Sequence, residues 1–182
     1  MNMLSGRPTV VLAICGSLRR QSSNLAALQA ASLLAPERMR ITIFDGLPAL
    51  PYFNPDLDGD DPPAPVRSFR NAVGQADALL ICSPEYARGV AGVTKNALDW
   101  LVGSLEFPGK PVAVINASQR ATHADAALRL TLETMSAKLV EEASITLPLL
   151  GRSLDAAGIA ADPDIGPLLR RALGALAAAA PA

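Results

Sequence analysis

Along the chain, short apolar runs alternate with stretches in which apolar residues return every three or four positions. This is the sequence form of repeated strand-helix units around a parallel sheet. Beyond their first residues, Thr9 to Cys15, Ala78 to Cys82 and Pro111 to Ile115 are continuously apolar. That pattern predicts strands covered by helices on both faces. Arg40 to Asp45 differs: Ile41 and Ile43 alternate with Thr42 and Phe44, as in a strand nearer an edge. A weaker fifth strand falls between Leu139 and Leu147, where Glu141 and Glu142 interrupt the apolar pattern and mark the other edge.

Between these runs, Asn24 to Leu34 is rich in good helix formers, and Val93, Ala97, Trp100 and Leu101 recur at i, i+4, i+7 and i+8. Ala124, Leu128 and Met135 continue the period in a third helix, and Pro65 to Gly74 carries Val66, Phe69 and Val73 in another. A last helix is predicted with Asp162 as its cap, Pro163 at its first position and Leu169, Leu173 and Leu176 as its inward stripe. Five strands and about five helices in alternation predict an α/β fold, a flavodoxin-like doubly wound five-stranded parallel sheet of order 2-1-3-4-5 with helices on both faces. A closed eightfold barrel needs roughly 250 residues. The 182 residues instead fit one domain at about 150 residues per domain, its alanine-rich end fraying from about residue 177. In that order the first and third strands are neighbours, so the loops Gly16 to Asn24 and Ser83 to Gly92 open at one crevice, where such sheets bind ligands.

Composition narrows the function. Half the residues are hydrophobic and 18% are charged, which excludes a disordered chain. A net charge of -1 supplies no field for a nucleic-acid backbone, so nucleic acid is not the expected partner. Met1 to Pro8 is too short and mixed for a leader, and Ala172 to Ala182 falls below the roughly 18 apolar residues of a membrane span. No membrane association and a cytoplasmic location are expected. Cys15 and Cys82 form no CxxC pair and read as buried, inert thiols at the ends of neighbouring strands. Asp56, Asp58 and Asp60 resemble the opening of a calcium loop, but Asp61 and Arg67 stand where such a loop has Gly and Glu. A solvated loop is predicted there, with no metal, and the proline-rich span from Gly46 to Pro65 is expected to border the site or a subunit contact.

The chemistry concentrates in "GSLRRQSSN", Gly16 to Asn24. A turn leading into a helix presents unpaired backbone N–H groups and a dipole that favours an anion. Ser17, Arg19, Ser22, Ser23 and Asn24 would complete a grip on a phosphate monoester, Arg19 supplying charge and paired donors. The stretch lacks the Gly-Lys-Ser/Thr ending of a nucleotide P-loop and the GxGxxG of a dinucleotide fold. Helix capping by Ser22 or Ser23, with a solvated Arg19, is the plain alternative for this loop taken alone.

The second loop runs "SPEYARGVAGVTKNALDW", Ser83 to Trp100. Together the two segments resemble the NAD(P)H-dependent FMN reductase family, which includes quinone, chromate and azo-dye reductases. The match lies in Gly16, Ser17, Arg19, Ser22 and Asn24, and in Pro84, Glu85, Tyr86, Gly92 and Lys95 to Trp100. It covers the first four strands and extends more loosely to about Gly158. The resemblance implies FMN, its phosphate in the first loop and its isoalloxazine ring against Pro84, Glu85, Tyr86 and Ala87, with NADPH or NADH as co-substrate. It implies hydride transfer from nicotinamide to flavin N5 and then to a quinone, azo compound, metal oxyanion or free flavin, with no catalytic side chain. It also implies a homodimer or homotetramer, with the helix around Lys95 to Val102 as a contact.

Two departures from the family pattern stand out. Position 87, usually Asn, is Ala here, and the third loop, which typically reads Ser-x-Gly-x-x-Gly-Gly, has no glycine between Asn116 and His123. Ser118 is the cofactor contact expected from it, and Gln119, Arg120 and His123 read as surface side chains. Asn96 and Asp99 read as fastening their loop to its helix, and Trp100 as core. Two rivals remain on the same fold: a flavodoxin-type electron carrier, and a flavin-free regulatory or binding domain.

Overall fold

The protein is described by a computed structural model covering residues 7–181. The mixed segment at 1–6, read above as no leader, lies outside the described residues. The strands are β1 (Thr9–Cys15), β2 (Met39–Phe44), β3 (Ala78–Cys82), β4 (Glu85–Tyr86), β5 (Gly89–Val90), β6 (Pro111–Asn116), β7 (Lys138–Leu139) and β8 (Ile145–Thr146). The helices are α1 (Ser23–Leu33), α2 (Ala64–Gln75), α3 (Gly92–Val102), α4 (Thr122–Thr134), α5 (Ala156–Ala161) and α6 (Ile165–Ala179). The main sheet runs β2-β1-β3-β6-β7, with β8 also pairing β6, and its pairs are parallel. This is the order predicted, with β2 at one edge.

The predicted fifth strand is two pieces. β7 pairs the start of β6 and β8 pairs its end, separated by a 3-10 turn at Glu141–Ala143. Two adjacent carboxylates do not fit a buried ladder, so the chain bulges outward with Glu141 and Glu142 exposed while Ala143 stays in the core.

Alternate residues of the central strands feed two cores. Val11, Ala13 and Cys15 pack with α1, α5 and α6, and Leu12 and Ile14 pack with α2, α3 and α4. Period-two side-chain alternation divides each buried strand between two apolar layers. On the second face Phe44 meets Phe69 with ring centroids 5.0 Å apart.

α6 starts later than predicted. Its cap is Asp164, and Pro163 lies in the turn before it. Asp162 ends α5, yet its Oδ1 still accepts the amides of Asp164 and Ile165, each at 3.0 Å. The helix runs to Ala179, with Leu176 buried and Ala177 and Ala179 packed on the core. The short α5 was not predicted, since six residues span fewer than two helical turns. Among the described residues no helix is long and apolar enough to cross a membrane.

Candidate functional site

β1 and β3 end level with each other, Cys15 opposite Cys82, and the Gly16 amide donates to the Cys82 carbonyl at 2.8 Å. A side chain at position 16 has no room: a Cβ would lie 2.1 Å from Thr94 Oγ1 and 2.7 Å from Ser83 Oγ. Those two hydroxyls share a hydrogen bond of 2.9 Å that ties the second loop to α3. Close approach, rather than a special φ angle, accounts for the glycine.

From Gly16 the first loop rises to α1. Ser22 is the N-cap, its Oγ accepting from the Leu25 amide at 3.3 Å. The first turn of α1 holds no acidic residue. Arg19 and Arg20 are exposed, and among the described residues neither pairs with a carboxylate. Ser17 is buried, and Asn24 Oδ1 accepts the Cys82 thiol at 3.2 Å, which leaves its amide N–H groups. An uncompensated helix N-terminus, two unpaired guanidiniums and two hydroxyls form a donor set suited to a phosphate.

The second loop is a β-hairpin, which periodicity did not predict because its strands are two residues each. Ala87 and Arg88 form its turn at φ 49° and 60°, the doubly left-handed turn that normally takes Asn-Gly. Ala87 is exposed at the tip and does not line the cleft, whereas Pro84, Glu85 and Tyr86 do. Glu85 reaches across the cleft floor, where its Oε2 accepts the Ala124 amide at 2.9 Å in the first turn of α4.

The third loop replaces glycine with side-chain turns. Asn116 Oδ1 accepts from the Ser118 amide at 3.1 Å, and its Nδ2 donates to the Ala121 carbonyl at 3.3 Å. Ser118 Oγ accepts from the Arg120 amide at 3.3 Å. No residue from 116 to 123 takes a positive φ, so the bend needs no left-handed residue. Ser118 and Arg120 line the cleft; Gln119 and His123 are exposed and do not.

The three loops enclose a cavity of about 480 Å³ that opens into a second of about 620 Å³ above the first loop. Ser23, Asn24, Pro84, Arg152 and Ser153 line both. The last two belong to the segment between β8 and α5, and sequence reasoning missed them. The one available signal was Gly151-Arg152-Ser153 just ahead of the capping Asp155. Beneath the cleft, burial pushes both thiols up. Cys82 rises far, with the neighbouring Cys15 adding to the effect and the Ala117 amide opposing it. Both thiols therefore stay protonated at neutral pH.

Asn96 and Trp100 fasten a loop, but not the one at the head of their own helix. Asn96 Oδ1 accepts from the Phe53 amide at 2.8 Å, and Asn96 Nδ2 and Trp100 Nε1 donate to the Pro51 carbonyl at 2.9 and 2.8 Å. They pin the proline-rich span against α3, and no residue of that span lines the cleft. Asp99 pairs with Lys95 at 2.5 Å, Asp58 with Arg70 at 2.7 Å, and Asp61 with Arg67.

Comparison with known proteins gives concordant matches. A family model described as NADPH-dependent FMN reductase matches residues 9–149. A Pseudomonas aeruginosa protein named NAD(P)H-dependent FMN reductase is 37% identical over 171 residues, 91% of this chain and 92% of that one. A quinone reductase of Pseudomonas putida is 38% identical over 113 residues, 59% of each chain. Among solved structures, the flavoenzyme NAD(P)H:(acceptor) oxidoreductase FerB of Paracoccus denitrificans aligns with a TM-score of 0.76 and 28% identity, covering 93% of this chain and 96% of that one.

Proposed function

The chain belongs to the NADPH-dependent FMN reductase family, and from that premise we propose how its own residues hold FMN and serve the reaction. It is an NAD(P)H-dependent oxidoreductase with FMN as cofactor, and its acceptors are small molecules of the quinone or flavin kind. The observation that carries the site assignment is the donor set at α1: Arg19 without a carboxylate partner beside a helix N-terminus without acidic residues. A dianionic phosphate answers that excess of positive potential.

In this reading Ser17, Arg19, Ser22, Ser23 and Asn24 take the phosphate, Pro84 and Tyr86 flank the ring, and Ser118 meets its far edge. When bound, FMN supplies a two-electron centre that accepts hydride from nicotinamide and passes electrons on. The protein's part is placement. Gly16 lets the first loop seat against Ser83 and Thr94, and Glu85 holds the first turn of α4 so that the third loop keeps its shape. No side chain in the cleft is assigned a covalent role. Ala87, at the hairpin tip and outside the cleft lining, is assigned no contact with the ring. Quinones, azo compounds, metal oxyanions and free flavin are the proposed acceptor classes, and the proposed setting is a cytoplasmic homodimer or homotetramer.

The test is reconstitution. Protein purified and incubated with FMN should show the flavin absorption bands after unbound cofactor is removed, and anaerobic NADPH or NADH should bleach them within seconds. A colourless protein would overturn the reading, and bleaching over many minutes would favour an electron carrier.

A further inference from the structure

The segment Leu147–Asp155 crosses the mouth of the cleft from the third loop to α1. It leaves the sheet where the Leu147 amide donates to the Asn116 carbonyl at 2.8 Å, and it ends where Asp155 caps α5, which packs on α1. Leu149 is buried beneath it, and Gly151, at φ 74°, turns the chain just before Arg152.

Arg152 lines both cavities, beside Ser23 and Asn24 at the head of α1. Its guanidinium pairs through one terminal nitrogen with Asp162. Asp162 is itself fixed by the amides of Asp164 and Ile165, and these, with Arg152, hold its carboxyl below the usual range against the cost of burial. One engaged nitrogen out of three leaves donors of the guanidinium fork for a second anion. Two carboxylates line the cavities that Arg152 borders, and each is already engaged by a backbone amide: Asp155 Oδ1 accepts from Gly158 at 2.7 Å and Glu85 Oε2 from Ala124 at 2.9 Å.

We propose that Arg152, carried on this strap and oriented by Asp162, is a second phosphate ligand for FMN, in the cavity that Arg19 also lines at the head of α1. The proposal rests on the FMN reading above and deepens it. The family-like motif provides one arginine at this phosphate; the strap adds another from a distant part of the chain. Arg19 and Arg152 line one cavity, so two guanidiniums would hold the phosphate end on a protein whose third loop lacks glycine for close backbone approach to the ring.

The test compares dissociation constants of FMN and riboflavin, which differ only by the phosphate, in wild type, Arg152→Ala and Arg152→Lys, by quenching of flavin fluorescence. Arg152→Ala is expected to weaken FMN about tenfold or more, the range for a charge-assisted contact, with riboflavin unchanged. Arg152→Lys keeps the charge and should recover part of the loss. An equal loss for both flavins would mean that Arg152 only holds the strap, and unchanged FMN binding would exclude contact; either overturns the proposal. The thermal midpoint of each variant identifies loss of fold. Wild type that binds neither flavin would instead sink the FMN reading itself.

Discussion

The Glu85 carboxylate accepts the Ala124 amide at 2.9 Å, so the loop after β3 caps the helix after β6. Two walls of the cleft are thereby locked to each other by one hydrogen bond to a helix N-terminus, where a negative charge is favourable. Glu85→Ala should destabilise the fold by about 0.5–2 kcal/mol, the range for losing a cap. Glu85→Gln, which keeps an acceptor, should lose less. Denaturant unfolding of the two variants decides this, and equal losses would show that the bond is not made in solution.

Ala87 and Arg88 both sit in left-handed backbone that costs an L-residue with a Cβ. Replacing Arg88 by Gly, or Ala87 by Asn, should raise stability by about 1 kcal/mol each. The midpoint of unfolding is the readout, and a fall on Arg88→Gly would contradict the turn geometry.

Gly16 faces Thr94 Oγ1 and Ser83 Oγ without space for a methyl group. Gly16→Ala should cost about 1–3 kcal/mol through overpacking. Adding Thr94→Ala should recover part of it, because the nearer clashing atom is removed. A double-mutant cycle measures the coupling; strict additivity would show that the two positions do not touch.

Arg19→Ala should weaken FMN binding by about 1–3 kcal/mol, the range for a charge-assisted hydrogen bond lost. An unchanged dissociation constant would remove Arg19 from the phosphate site while leaving the fold assignment intact.

Asp77, just before the central strand β3 and at the opposite end of the strands from the cleft, gives a pH dependence. Burial works against its ionisation, but hydrogen bonds from Arg7 at 2.5 and 2.8 Å and from the Val10 amide at 2.8 Å, with the Arg7 and Lys110 charges, outweigh it and hold the carboxyl below its usual range. A depressed folded value stabilises the protein above the ordinary carboxylate pKa near 4, and that stability is lost as pH falls through the folded value. Unfolding measured from pH 7 to pH 3 should therefore show wild type converging on Asp77→Asn at the acid end. A constant gap would refute the linkage.

Local pattern was enough for β1, β3 and β6, for the helices that cover them and for the sheet order. A buried strand must be apolar throughout, a covering helix must repeat near 3.6 residues, and alternation of the two leaves few topologies. The first two loops could be read as a candidate phosphate grip and, by resemblance, a candidate flavin contact, because such chemistry demands particular residue types in a short span; the close approach at Gly16 appeared only in the structure. What short spans do not carry is contact across the crevice. Glu85 on the head of α4, Asn96 and Trp100 on the Pro51 carbonyl, and Arg152 over the head of α1 join residues 39, 45, 49 and more than 100 positions apart. The β4–β5 hairpin and α5 were missed for a related reason: each is too short to show a period. The residue types that form the site were written in the sequence, but the folding of the chain after β8 back over α1 decided which of them meet, because such contacts are set by the packing of whole layers.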